Sequence, residues 1–369
     1  MLSDHITSET PLPPSRSIGA WLLVVAVMIV GQTVLGGITR LTGSGLSITE
    51  WKPVTGAIPP MGDAAWEAEF AKYKEIPQFQ QLNAHFGLDD FKRIYFWEWL
   101  HRLWGRLLAV AFLLPLGLFA LRRRLFGLGV PLAVIGALGA LQGFLGWFMV
   151  ASGLKDLVYV SHLRLAVHFC AAMVLLAAVY WIALGQLTVS SQQRTAPGDR
   201  AVAWWLLGAL GLQFAYGAFV AGLKAALAAP TWPSMNGAFI PRRLVESAGD
   251  LINNPLTVQF IHRAIAYLLA AAVLLFWVRL LKAPAPGHWR WTRHTPAWAV
   301  LLQTMLGIVT VLNAGDPGAF VVLGALHQLG AVLLMLALLT VARLSRTADP
   351  ETAPKTSSVS PQDRVPARV

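Results

Sequence analysis

The sequence predicts an all-α integral membrane protein. Eight transmembrane helices form two tandem, pseudo-symmetric four-helix bundles, with both termini cytoplasmic. Three observations carry this reading: an apolar composition, a series of charge-free runs of spanning length, and an internal repeat. The chain has 369 residues, of which 56% are hydrophobic and 13% charged, whereas soluble domains are about one-quarter charged. Mean hydropathy is +0.58.

Residues 1–16 are polar and form a short cytoplasmic N-terminus. The first span, 17–39, lies between Arg16 and Arg40. A long outer loop, 40–95, follows, with Trp51, Trp66, several prolines and scattered charges. The second span, 96–121, carries charge at its N-terminal end, the third (125–154) lies between Arg124 and Lys155, and the fourth covers 161–187. These complete a first four-helix unit, 17–187, joined by a cytoplasmic linker, 188–200, to a second unit, 201–343. Its spans are 201–223, 256–278, 295–315 and 317–342, the last two separated by Asp316. Residues 224–255 form its outer loop, with Trp232 and Arg242–Arg243. The tail, 344–369, is rich in Ser and Pro and reads as disordered. Each charge-free run exceeds the roughly 20 residues that cross about 30 Å of hydrocarbon. No strand-like alternation supports a barrel.

Orientation follows from Lys and Arg. The N-terminus, three connecting loops and the tail on one side hold 15 of them, against ten among many acids on the other; the richer side is cytoplasmic. The same bias accounts for the net charge of +11 without a nucleic-acid partner. The single cysteine, Cys170, excludes an intrachain disulfide and a thiolate-ligated cluster. Because residues 1–17 are polar and poor in basic residues, the expected location is a bacterial inner membrane, with neither a cleaved signal nor a transit peptide.

The halves align. EWLHRLWGRLLAV (98–110) matches QFIHRAIAYLLAA (259–271) at His-Arg and Leu-Leu, an offset of 161 residues. At the same offset LQGFLG (141–146) matches LQTMLG (302–307). At an offset of 181, Gln32, Gly36, Trp51, Gly56 and Pro60 match Gln213, Gly217, Trp232, Gly237 and Pro241. The extra length lies in the first outer loop. Two units of equal orientation form a parallel repeat.

Four histidines mark these units: His101 and His168 in the first, His262 and His327 in the second, each near the outer end of an even-numbered span. Ionisable groups inside a membrane are costly and mark function. A single such histidine is accounted for by a hydrogen bond to a neighbouring helix; four at repeat-related depths point to ligation. Imidazole binds several transition metals and is a standard axial ligand of haem iron. These spans offer almost none of the carboxylates or thiolates a hydrophilic ion prefers, but abundant apolar surface for a haem. Arg102, Arg164 and Arg263 lie close by as partners for its propionates; snorkelling to the interface is the other reading. The units differ at one telling place: Glu98 stands three residues before His101, and Gln259 takes that place before His262. A carboxylate beside a haem-sized pocket suits proton handling, although a pair with Arg102 at i, i+4 would also explain it.

The segments GGITRLTGSGLSITEWKPVTGAIPP (36–60), EWLHRLWGR (98–106), SHLRLAVHF (161–169), QFIHR (259–263) and LGALHQLGA (323–331) resemble the haem A synthase family, and the likeness covers most of 17–343. Lacking an outer-loop cysteine pair, the chain resembles the cysteine-free mitochondrial and proteobacterial group. The resemblance implies that His262 and His327, with Arg263 beside them, hold a haem b that transfers electrons. It implies that His101 and His168, with Arg102 and Arg164, bind the substrate haem O or the product haem A, and that Glu98 is catalytic. The implied reaction oxidises the C8 methyl of haem O through an alcohol to a formyl group, giving haem A for cytochrome oxidase. The expected partners are the lipid bilayer, an external electron carrier, the haem O-making farnesyltransferase and further copies of the chain. The rival expectation from the histidines alone is a di-haem b-type cytochrome oxidising quinol; a transporter on the same repeat is a third.

Overall fold

The computed structural model describes residues 14–125, 127–156, 158–188, 193–194, 198–282, 287 and 289–346. Most of the expected disordered tail, N-terminus and linker therefore lie outside the described residues; the first three residues of the tail, 344–346, are ordered at the end of the last helix.

Among the described residues, eight helices are long and apolar enough to cross a membrane. In chain order the helices are α1 (Arg16–Leu41), α2 (Asp63–Lys74), α3 (Leu88–Leu121), α4 (Gly129–Asp156), α5 (His162–Leu187), α6 (Asp199–Gly222), α7 (Asp250–Asn253), α8 (Pro255–Leu280), α9 (Trp289–Thr292), α10 (Thr295–Leu312) and α11 (Pro317–Leu344). Local chemistry sets several ends. Asn254 caps α8 and Asp316 caps α11, each accepting two backbone N–H groups, with proline at the first helical position. Asp199, fully buried in the first turn of α6, pairs with Arg279 at 2.5 Å and ties the start of α6 to the end of α8.

One span departs from expectation. The second begins at Leu88 rather than residue 96, and its 34 residues reach about 51 Å. The extra two turns project beyond the bilayer, where Asp89 and Asp90 favour the helix N-terminus and Asp90 accepts from the Gly87 N–H at 3.0 Å. The projecting end supports the first outer loop, which has a core of its own. Leu46, Phe70, Tyr73, Ile76, Phe91, Ile94 and Tyr95 are buried together, with Phe70 and Tyr73 stacked on Phe91 at 5.1 and 5.2 Å. The Tyr73 hydroxyl donates to Gln78 (3.0 Å) and accepts from Asn83 (2.7 Å); burial pushes its pKa up to about 12.

Among the spans, α1 packs on α3 and α5, and α4 on α5. In the later part of the chain α6 packs on α8 and α11, and α10 on α8 and α11. A seam joins the two sets through α5 on α6 and α1 on α11. Its core is aliphatic, including Leu22, Leu176, Val179, Leu210, Val332 and Leu338. Gln328 donates to Thr33 O (2.7 Å) and Tyr180 pairs with Thr340 (2.8 Å) across it. Val24, Val27, Leu113, Leu114, Leu268 and Leu275 are exposed on the outside of the bundle, as lipid-facing side chains are.

Candidate functional site: four histidine slots on one cavity

A cavity of about 1240 Å³ lies between the spans, and His101, His168, His262 and His327 all line it. Single-ligand pockets run to roughly 300–1,000 Å³, so this cavity lies above that range. The wall is mostly apolar, with Phe169, Leu175, Leu210, Phe214 and Leu269 among its residues.

Each histidine is held in the same way by the span that precedes its own. On that span a glutamine meets the histidine, and a glycine one turn later leaves room for the ring. Gln32 Nε2 lies 3.3 Å from His101 Nε2 and donates to His101 O at 3.2 Å. Gln142 Nε2 lies 3.1 Å from His168 Nδ1 and donates to His168 O at 3.0 Å. Gln213 Nε2 lies 3.4 Å from His262 Nε2 and donates to His262 O at 3.1 Å. Gln303 Nε2 lies 3.4 Å from His327 Nε2. A Cβ added at Gly36, Gly146, Gly217 or Gly307 would stand 3.0, 3.1, 3.3 or 2.9 Å from Cε1 of the facing imidazole.

Sequence reasoning matched these residues only in pairs. The missed signal is Gln-x-x-x-Gly, which occurs once in each odd-numbered span at 32–36, 142–146, 213–217 and 303–307. The four-residue spacing puts both residues on one helix face.

These donors suit haem iron. The rings of His262 and His327 are 6.4 Å apart between centroids. That separation is close enough for both imidazoles to serve one metal. Nδ1 of His101, His262 and His327 is buried with no hydrogen-bond partner in the protein, so each keeps an uncommitted nitrogen lone pair or N–H. Among the described residues no three His, Cys, Asp or Glu come together as an ion site. Paired imidazoles in an apolar slot remain, and this is the donor set of a bis-histidine haem.

Glu98 is 2% exposed and fully engaged. Its Oε2 accepts from Ser47 Oγ (2.7 Å) and the Ile48 N–H (2.8 Å), and its Oε1 from Arg102 Nη2 (2.5 Å). Arg102 also donates to Ile48 O and Glu50 O at 3.0 and 3.2 Å. In the later half Gln259 donates to Ala229 O (3.1 Å), and Arg263 to Ala229 O (2.8 Å) and Thr231 O (2.9 Å). Each pair thus fastens an outer loop to the wall of the cavity, which all four residues line. Arg164 lies over the Phe148 ring at 4.8 Å rather than on that wall. His162 packs edge-on against Phe219 at the start of α5.

Comparison with known proteins comes to the same place. A model of the cytochrome oxidase assembly protein family matches residues 19–339. The chain is 44% identical over 324 residues to a protein named haem A synthase from Rhodospirillum centenum, covering 86% of each. It is 43% identical over 343 residues to one of the same name from Brucella ovis, covering 90% of this chain and 93% of the relative.

Proposed function

The chain belongs to the haem A synthase family, and from that premise we propose how its residues divide the work. It is an oxidoreductase that converts haem O to haem A for cytochrome oxidase by oxidising a methyl group. We assign the methyl to C8. The observation that carries the assignment of residues is the fourfold Gln–Gly slot, which presents two pairs of imidazoles to one cavity.

In this reading residues 17–187 form the substrate unit and 201–343 the electron-transfer unit, related by a parallel repeat, with both termini cytoplasmic in a bacterial inner membrane. His101 and His168 hold haem O, or the haem A product. His262 and His327 hold a resident haem b, beside Arg263. A b-type haem, when bound, supplies a one-electron relay. Gln32, Gln142, Gln213 and Gln303 fix the ring orientation of the four ligands, as outer partners of metal-bound imidazoles do. The folded first loop closes the outer side of the substrate slot and limits water there. The Glu98 carboxylate, held by Arg102, Ser47 and Ile48, faces that slot on the cavity wall. The methyl takes one oxygen atom from water and loses two electrons and two protons to become the alcohol, then two more of each to become the aldehyde, and Glu98 is placed to accept a proton so released. Electrons leave to an external carrier. Haem O is supplied by a farnesyltransferase, and self-association of the chain fits the exposed apolar faces.

The test is to purify the full chain from cells that make haem O, extract its pigments with acid-acetone and separate them. Haem b together with haem O, its hydroxylated form or haem A is expected. Haem b alone, at two per chain, would overturn the assignment in favour of a di-haem cytochrome.

A further inference from the structure

We propose that Arg40 and Lys224, at the seam between the two sets of helices, form the binding site for a carboxylate of the molecule held by His101 and His168. This rests on the reading that a haem occupies that slot, so the carboxylate is a propionate. Gln32, Gly36 and Arg40 follow one another at four-residue intervals along one side of α1, and the first two make the slot for His101. Arg40 stands one turn further along and also lines the cavity. Its Nη2 caps the last carbonyls of α6, at 2.6 Å from Ala221 O and 2.8 Å from Gly222 O, while its Nε is buried with no partner in the protein. Lys224, just beyond α6, lines the same cavity. Its Nζ donates to the Tyr159 hydroxyl at 2.7 Å and sits 4.0 Å over that ring, and Arg40 Cζ lies 6.0 Å from the same ring centre.

Two cations therefore share one wall and one tyrosine. Among the described residues no carboxylate lies within 4.0 Å of either. Carbonyl oxygens satisfy the Arg40 hydrogen bonds in part but leave its charge uncompensated beside a buried Nε, which is costly away from water; Lys224 is exposed and adds its charge to the same wall. A carboxylate would offset it through charge-assisted hydrogen bonds. Of the other arginines of the wall, Arg102 is paired with Glu98 and Arg263 is bonded to the second loop, while Arg106, on Lys52 O and Pro53 O, keeps a buried Nη1 without a partner but stands off the α1 face that makes the His101 slot.

The arginine of this site has no counterpart in the second half. At the 181-residue offset that relates Gln32 to Gln213, Arg40 corresponds to Ala221, whose carbonyl is one of its acceptors. The C8 methyl of haem shares its pyrrole ring with a propionate. An anchored propionate consequently restricts which methyl group can face Glu98, and Arg40 and Lys224 become determinants of which position is oxidised.

The experiment titrates haem O and its dimethyl ester into the purified full chain made in cells without haem O, so that the resident haem b is loaded and the first slot is free. Soret absorbance follows binding. Wild type is expected to bind the free acid about tenfold or more tightly than the diester, the worth of one charge-assisted hydrogen bond. Arg40→Gln and Lys224→Gln should each shrink that preference, and the double variant should abolish it. Lys224→Gln leaves the Arg40 bonds to α6 intact, so it decides the matter if Arg40→Gln does not fold. A full preference retained in Lys224→Gln and Arg40→Gln, or equal binding of acid and diester by wild type, overturns the site. A wild type that binds neither form overturns the haem reading on which it rests.

Discussion

The two halves of this protein share their ligand slots and differ at their outer ends. In both, a Gln-x-x-x-Gly face on one helix seats a histidine of the next, twice per half. Above the slots the first half carries Glu98, Arg40 and a folded loop with a core of seven buried residues. The second carries Gln259, Ala221 and a shorter connection. What is repeated is what holding a planar metal cofactor needs, a fixed imidazole and space beside it. What is not repeated is what chemistry needs: a carboxylate, a carboxylate-binding cation and a cover that limits water. In the division proposed above, electron transfer falls to the symmetric minimum and oxidation to the elaborated copy.

The comparison breaks most decisively at the ligands. His262→Ala or His327→Ala should remove haem b and leave haem O as the extractable pigment, with haem A formation lost. His101→Ala or His168→Ala should do the reverse, leaving haem b alone. Chromatography of extracted pigments reads both outcomes; loss of the same pigment from either pair would show that the halves are not distinct sites.

Next comes the asymmetric pair. Glu98→Gln should lower haem O conversion by about 10²-fold or more, the usual worth of a positioned acid–base group, while haem content stays near wild type. It leaves the Arg102 charge without its counter-ion; breaking a buried pair costs about 3–5 kcal/mol, less here because Arg102 is 15% exposed and keeps two carbonyl acceptors. A lowered Tm is therefore expected too, and turnover per bound haem separates the two effects. Gln259→Glu offers Arg263 a partner but loses the donor to Ala229 O, so Tm should fall while turnover per bound haem stays unchanged. If Glu98→Gln lowered haem content and stability but not turnover per haem, Glu98 would be only the fastener of its loop.

Within the shared slots the effects grade with space. A Cβ at Gly307 would meet His327 at 2.9 Å and one at Gly217 would meet His262 at 3.3 Å. Gly307→Ala should therefore displace its ligand more than Gly217→Ala, with overpacking of about 1–3 kcal/mol. The sign of it is a haem b spectrum altered in the first variant and near normal in the second. Replacing Gln213 by Leu keeps the volume but removes the bond to the ring, and should shift the haem midpoint potential without loss of haem.

Eight spans, the paired histidines and the Glu98/Gln259 difference were legible because each leaves a mark in sequence: a charge-free run, an ionisable residue where lipid penalises it, a mismatch in a repeat. Three features were not. The two outer turns of α3 hid because FKRIY and the acids before it read as loop when lipid is the assumed solvent, although Asp89 and Asp90 start a helix well in water. The fourfold Gln-x-x-x-Gly hid because glutamine and glycine are common singly and the repeat between halves pairs each motif only with its partner in the other half. Arg40 hid because it closes a charge-free run and was counted as its boundary; only the seam with α6 shows that it turns inward.

The smallest expected effect concerns the cover itself. Glu50, Lys52, Glu69 and Lys72 form an ion network on the first loop, with contacts of 2.6–3.2 Å and side-chain exposures of 17–45%. Exposed pairs of this kind contribute less than about 1 kcal/mol and are screened by salt. Hydrogen bonds from Lys52 and Lys72 hold the Glu50 carboxyl below its usual pKa of 4.5. Its stabilisation is thus present above pH 4.5 and lost as pH falls through the lowered folded value. The lysines, raised above 10.5 chiefly by the same carboxylate, contribute below that pH and lose their part only as it rises further. Near neutral pH, Lys72→Met should therefore speed amide hydrogen exchange in α2 slightly and leave residues 225–253 untouched. The difference should shrink in high salt and vanish at acid pH, where Glu50 is protonated in wild type as well. Equal effects on both loops would mean that the network braces the whole outer face rather than the cover of the substrate slot.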